Sequence, residues 1–221
     1  SLAGSLRKLL MKILALDTST SRVTVALLDD QKVINQVSAG ELTGGQFHGE
    51  QLMDLVSDCL RGQKPDRVAV GVGPGPYTGL RVGVTTAEVL AAAWEIEVVG
   101  IPTLEALAHG HIRRGGKKGT AVLDVKRKEI ACQEFNDAGE LLGNPVLIHI
   151  TEFEKQNFQN IVGPAFITQT LITANVADQN PVDAIDIALL GLKAKTEVFK
   201  PLYLRQPDAA EPKLPKPVNN G

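Results

Sequence analysis

Residues with the types and spacing to do chemistry cluster at a few points of this sequence. Gly73, Pro74, Gly75, Thr78 and Gly79 make a turn between a valine-rich run at 67–72 (RVAVGV) and an apolar stretch that ends near Trp94. A strand, a glycine-rich turn and a helix N-terminus together offer free N–H groups and a positive helix end, the ingredients of a phosphate site. The spacing fails both common versions. A P-loop has Lys and then Ser or Thr after its last glycine, where this chain has Leu80 and Arg81, and the third glycine falls one place late for a dinucleotide loop. Pro74 and Pro76 also delete two N–H donors. Arg81 alone keeps the option of meeting an anion there.

Asp17 ends the apolar run 12–17 (KILALD) and precedes Thr18, Ser19, Thr20 and Ser21. A carboxylate so placed can help to hold a metal and phosphates, or it can cap its own hydroxyl-rich turn, and the second reading is preferred. His48 and Glu50 invite a metal reading, but two residues apart on a helix they face different directions and no histidine follows four places on. Cys59 and Cys132 sit in unrelated contexts outside any CxxC pair and read as reduced structural thiols. Lys126, Arg127 and Lys128 form the other anion candidate, with a solvated basic turn as the preferred reading.

Strands are predicted at 12–17, 22–28 and 32–38, followed by a helix at 47–60, the valine strand, and a helix from Gly79 or Leu80 to Trp94 capped by Thr78. That second helix is apolar on nearly every side, so it must be covered all round. Gly79, Gly83, Ala87 and Ala91 recur every four residues, a line of small side chains on which a second helix could lie. A strand at 97–101 and a helix from Thr103, its cap, to Arg113 follow. Residues 113–119 (RRGGKKG) read as a flexible linker. Beyond it lies a degenerate second copy of the first half: strands at 120–125, 129–136 and 145–150, a short helix from Thr151, a strand at 160–163, a helix at 164–172, and a final helix at 183–196 with lysines near its end.

With 221 residues, 43% hydrophobic and 22% charged, the chain is an ordinary globular protein with a substantial core. A net charge of −2 gives no general attraction to nucleic acid. No run of about 20 apolar residues spans a membrane. Met11 reads as the natural start, which leaves residues 1–10 as an expression remnant or an extension.

The stretch VGVGPGPYTGLRVGVTTA at 70–87 strongly resembles the GPGSFTGLRIG signature of the bacterial TsaB (YeaZ) family, with Pro76 and Tyr77 where the family has Ser and Phe. ILALDTSTS at 13–21, the His48-Gly49-Glu50 fragment, the turn 124–129 and PLYLRQPDA at 201–209 extend the resemblance along the chain. It implies an α/β fold of the actin-like (ribonuclease-H-like, ASKHA) type in two lobes, the first at 11–114 and a shortened, degenerate second at 115–205. The final helix then has the option of packing back on the first lobe, and a Pro-rich tail at 206–221 is expected to be disordered.

The resemblance further implies a cytoplasmic, non-catalytic subunit in the formation of N6-threonylcarbamoyladenosine at position 37 of tRNAs that read ANN codons. It would pair with the catalytic paralogue TsaD through its first-lobe helices and recruit the small ATPase TsaE. No cofactor is expected on this chain, with ATP and a metal belonging to the complex, and tRNA is met only through that complex. The implied interface comprises His48, Glu50, Leu52, Leu55, Val56, Leu80, Arg81, Val84, Ala87, Glu88 and Ala91. The same helices should form a homodimer in isolation, and a bulky charge at Ala87 or Ala91 should break both complexes without unfolding the chain. The alternatives are an independent peptidase-like or ATP-dependent enzyme of the same fold, and a regulator sensing nucleotide at a subunit junction. No catalytic or metal cluster is visible for the enzyme reading, since neither cysteine nor Thr78 has a neighbouring histidine.

Overall fold

The computed structural model describes residues 11–39, 49–153, 155–168 and 176–204. His48, the 1–10 segment and the 206–221 tail lie outside them, as do the side chains of Gly49, Glu50 and Phe166. The apolar runs form β1 (Lys12–Asp17) and β2 (Val23–Asp29), buried almost end to end and paired antiparallel with Asp17 opposite Thr24. Strand β3 (Lys32–Ala39) closes one edge with alternating, mostly exposed residues. Helix α1 (Gly49–Leu60) returns the chain to β4 (Arg67–Gly71), parallel to β1, and α2 (Tyr77–Trp94) to β5 (Glu97–Ile101), giving the order β3-β2-β1-β4-β5.

Helix α3 (Thr103–Arg113) leads to a second sheet that repeats the plan. Its elements are β6 (Gly119–Asp124), β7 (Glu129–Phe135), β8 (Val146–His149), α4 (Ile150–Phe153), β9 (Ile161–Val162), α5 (Ala165–Thr168), β10 (Val176–Asp178) and α6 (Ala184–Gly191). The order β10-β9-β6-β7-β8 reproduces the first sheet strand for strand. This is the two-lobe actin-like fold, with α5 standing in the second lobe where α2 stands in the first.

Both faces of the first sheet are covered. Leu14, Leu16, Val25, Val68 and Val70 meet α1 and α2, while Ile13, Ala15, Ala26, Ala69 and Val99 meet α6 from the second lobe. Gly191 makes that contact possible, because a Cβ there would stand 2.7 Å from the Ala69 Cβ. Helix α6 is shorter than its sequence pattern: Asp183 caps it by accepting from the Ile185 N–H, and it ends at Gly191, so Lys193 and Lys195 lie beyond it. Strand β10 departs from the sequence reading, which places no strand there; its last residue is Asp178.

The stretch 113–119 is not the free linker its composition suggests. Asp186 on α6, 1% exposed, accepts from Arg113 Nε at 2.9 Å and Nη2 at 3.1 Å, with His109 Nδ1 at 2.7 Å. Asp178 on β10 does the same for Arg114, whose Nη2 is 2.7 Å away, beside His111 at 3.2 Å. These two clusters tie α3 to the second lobe. Burial by itself would push the Asp186 carboxyl up; hydrogen bonds from His109 and Arg113 overcome that and hold it below the usual carboxylate value. A carboxyl so depressed stabilises the fold above pH about 4 and loses that contribution as pH falls through the folded value. Asp186→Asn is therefore expected to destabilise the chain by about 2–3 kcal/mol at pH 7, Arg113 being partly exposed. Denaturant melts from pH 7 to pH 3 should show the gap between variant and parent closing as the pH drops below 4.

Candidate functional site

Asp17, 0% exposed, is committed to structure. Its Oδ1 accepts from the Ser19 N–H at 2.9 Å and from Ser19 Oγ at 2.7 Å, and its Oδ2 accepts from Thr103 Oγ1 at 3.1 Å. The Thr103 hydroxyl in turn accepts from the Gly73 N–H at 3.1 Å, while the Thr103 N–H donates to the Gly73 carbonyl at 2.8 Å. Thr103 is thus no N-cap; it is the first residue of α3, behind Pro102, and its side chain latches the glycine-rich turn to β1. Burial pushes the Asp17 carboxyl up, with the Ser19 and Thr103 hydrogen bonds partly offsetting it.

The glycines of the turn are packing devices. A Cβ on Gly75 would lie 2.4 Å from the Ser19 carbonyl, on Gly79 2.4 Å from the Thr18 carbonyl, and on Gly83 2.1 Å from Thr18 Oγ1. Thr18 Oγ1 also donates to the Gly79 carbonyl at 2.7 Å. At Gly79 and Gly83 the small-residue line on α2 therefore receives the β1–β2 turn of the same chain. Gly73 takes φ +94°, and the Gly73–Pro74 peptide is cis. Helix α2 starts two residues before the predicted point: Pro76 is its N-cap, the Leu80 N–H donates to the Pro76 carbonyl, and Thr78 lies exposed in the first turn.

The expected interface residues divide sharply. Val84, Ala87 and Ala91 on α2, with Leu52 and Val56 on α1, are buried at 4% exposure or less against their own sheet, and Leu80 is buried beside Gly73. A bulky charge at Ala87 or Ala91 would strike this core, so those positions cannot separate partner binding from folding. Leu55 is half-buried, and Arg81 and Glu88 are exposed. The face that α2 leaves open runs Tyr77, Arg81, Thr85, Glu88, Val89 and Ala92, one step round the helix from the predicted stripe. Val89 is 60% exposed and Met53 on α1 is 44% exposed. A groove of about 380 Å³ lies between the helices, with Met53, Val56, Leu60, Leu90 and Trp94 as its apolar walls. Thr85, Val89, Ala92 and Met53 are exposed because a helix packed on a sheet turns its most apolar stripe inward and its small or polar stripe outward.

At the head of this face Arg81 lies over the Tyr77 ring, 5.4 Å from its centroid, and donates to the Tyr77 hydroxyl at 3.0 Å. Tyr203 packs on Tyr77 at 4.8 Å. The closing segment is held there by the Leu202 N–H, which donates to the Val72 carbonyl at 2.7 Å, and by Phe199, which fills the space above Gly100.

Chemically, these residues offer little for bond-making. Burial pushes the Cys59 thiol up to about 11 and the Cys132 thiol up to about 12, so neither is a thiolate at neutral pH. Among the described residues no three His, Cys, Asp or Glu side chains group to hold a metal ion, and no helix is long and apolar enough to cross a membrane.

Comparison with known proteins gives a consistent picture. Residues 31–200 match the family model described as TsaD, tRNA N6-adenosine threonylcarbamoyltransferase. The Escherichia coli tRNA threonylcarbamoyladenosine biosynthesis protein TsaB is 31% identical over 131 residues, 57% of this chain and 55% of that protein. The Bacillus subtilis protein of the same name is 27% identical, covering 90% of this chain and 96% of its own length. A Pseudomonas aeruginosa crystal structure, described as an uncharacterized protein similar to peptidase YEAZ, superposes with a TM-score of 0.69 at 24% identity, over 88% of this chain and 100% of that one.

The packing of the β1–β2 turn gives a direct test. Gly79→Ala, whose methyl has only backbone to displace, should cost about 2–3 kcal/mol in denaturant unfolding, whereas Ala92→Ser on the open face should change stability by less than about 0.5 kcal/mol.

Proposed function

Since this chain belongs to the TsaD family and within it to the TsaB (YeaZ) group, we propose that it is the non-catalytic assembly subunit of the complex that forms N6-threonylcarbamoyladenosine at position 37 of tRNAs reading ANN codons. The chain pairs with a TsaD-like catalytic subunit through the open face of α1 and α2, and the pair recruits a TsaE-like ATPase in the cytoplasm. ATP and metal chemistry belong to those partners, and this chain meets tRNA as part of the assembly. The observation that carries the reading is the exposed two-helix face: Val89, Met53 and the apolar groove beside them are what a partner helix would cover. Thr85 and Ala92 are small enough to let its backbone come close. The saturated Asp17 and the raised thiol pKa values favour this reading over an independent peptidase or ATP-dependent enzyme.

In isolation the same face suits a second copy. Arg81 and Glu88 are two helical turns apart, about 10 Å along the axis. An antiparallel copy related by a two-fold axis between residues 84 and 85 sets each Arg81 against the other Glu88 and each Tyr77 against the other Ala92. One sequence thereby supplies both halves of a self-complementary interface.

Val89→Asp is expected to keep the parent melting temperature within about 2 °C while abolishing both self-association and capture of the TsaD-like subunit, read by light scattering and co-purification. Arg81→Glu or Glu88→Arg alone should weaken the homodimer about tenfold, and the double swap should recover most of it. A folded Val89→Asp chain that still captures the subunit contradicts the assignment.

A further inference from the structure

The internal repeat places Asp124 and the turn after it, between β6 and β7, where Asp17 and the β1–β2 turn stand in the first lobe. The two turns have met opposite fates. In the first lobe the space beside the turn is filled by Gly75, Gly79 and Gly83 at the head of α2. In the second lobe a pocket of about 250 Å³ lies beside the turn. Ile130, Ile150 and Ile167 line it together with Asp124, Lys126, Arg127 and Lys128.

The cationic rim is built at a cost. Lys126, Arg127 and Lys128 hold φ of 71°, 58° and 62°, three consecutive side-chain-bearing residues in the left-handed region. A side-chain-bearing residue disfavours that conformation, and it persists because its surroundings impose it. They do so from several directions: the Lys126 N–H donates to Asp124 Oδ1 at 2.7 Å, the Glu129 N–H to the Lys126 carbonyl at 3.1 Å, and the Ile150 N–H to the Lys128 carbonyl at 2.8 Å. A merely solvated loop has no need of this fixation. Lys126 Nζ lies 3.3 Å from Asp124 Oδ2, an exposed pair weak enough to open for a stronger anion. In a chain of net charge −2, a rigid cluster of three cations over an isoleucine floor is a local exception.

We propose that this turn binds a phosphate ester of the RNA backbone, the phosphate on Lys126 and Lys128 and its nucleoside over Ile130, Ile150 and Ile167. The site gives this subunit its own contact with the tRNA of the assembly; the inference rests on the tRNA-modification reading above. RNA is favoured over a free phosphorylated metabolite because the cations stand exposed on the rim rather than enclosed, as a continuous strand requires.

The test measures tRNA binding by the assembled complex of this chain with its TsaD-like partner from 50 to 300 mM salt. Lys126→Gln with Lys128→Gln is compared with Lys117→Gln with Lys118→Gln, which removes the same charge from exposed positions elsewhere. The turn variant should weaken tRNA binding about tenfold at 100 mM salt and flatten the slope of log K against log salt by about 2, with the control unchanged. Equal effects of both variants, or none from the turn variant, overturn the site. Saturable binding of AMP to the chain alone, lost in the turn variant while tRNA binding persists, overturns RNA as the ligand. Because assembly and tRNA modification are followed in the same samples, loss of the chain's requirement for modification separates failure of the functional reading from failure of this site.

Discussion

One buried junction holds this structure together: Asp17 at the end of β1, the Thr103 hydroxyl at the start of α3, and the backbone of Gly73. A carboxylate taken fully out of water is tolerable only if its oxygens are satisfied, and Ser19 and Thr103 satisfy them. Gly71 must lack a side chain for this to happen, since a Cβ there would fall 1.8 Å from Asp17 Oδ2. The direction of the glycine-rich turn, the seating of α2 against Thr18 and the departure of α3 toward the second lobe all follow from that junction.

The asymmetry of the two lobes then distributes the remaining surfaces. In the first lobe, long α1 and α2 cover one sheet face and leave their outer stripe open, while α6 reaches across from the second lobe to cover the other face. In the second lobe, a pocket lies beside the β6–β7 turn and its three cations. A duplicated fold has thus yielded two dissimilar surfaces, an apolar and small-residue helix face on one lobe and a cationic turn on the other.

Much of this was legible in the sequence. Alternating and continuous apolar runs located the first-lobe strands within a residue or two, and the motif around Gly73 to Gly79 identified the family and with it the fold. The sequence failed where local propensity met tertiary constraint. Thr78 and Thr103 have good capping side chains, yet Pro76 and Pro102 begin those helices because the adjoining turn is pinned elsewhere. Arg113 and Arg114 read as linker residues because their acidic partners lie more than 60 positions away. The stripe Leu80, Val84, Ala87 and Ala91 was assigned to a partner because periodicity defines a face without saying what covers it. The three left-handed residues of the basic turn had no sequence signal, since none of them is glycine.

On the proposed function this chain acts by assembly rather than by its own chemistry. Reconstitution with a TsaD-like subunit and a TsaE-like ATPase tests it most directly, by measuring threonylcarbamoylation of tRNA with the chain present, omitted, or replaced by a folded variant whose α2 face is blocked. Modification is expected only with the unblocked chain, with no turnover of ATP or peptide by the chain alone. Equal modification when the chain is omitted would contradict it.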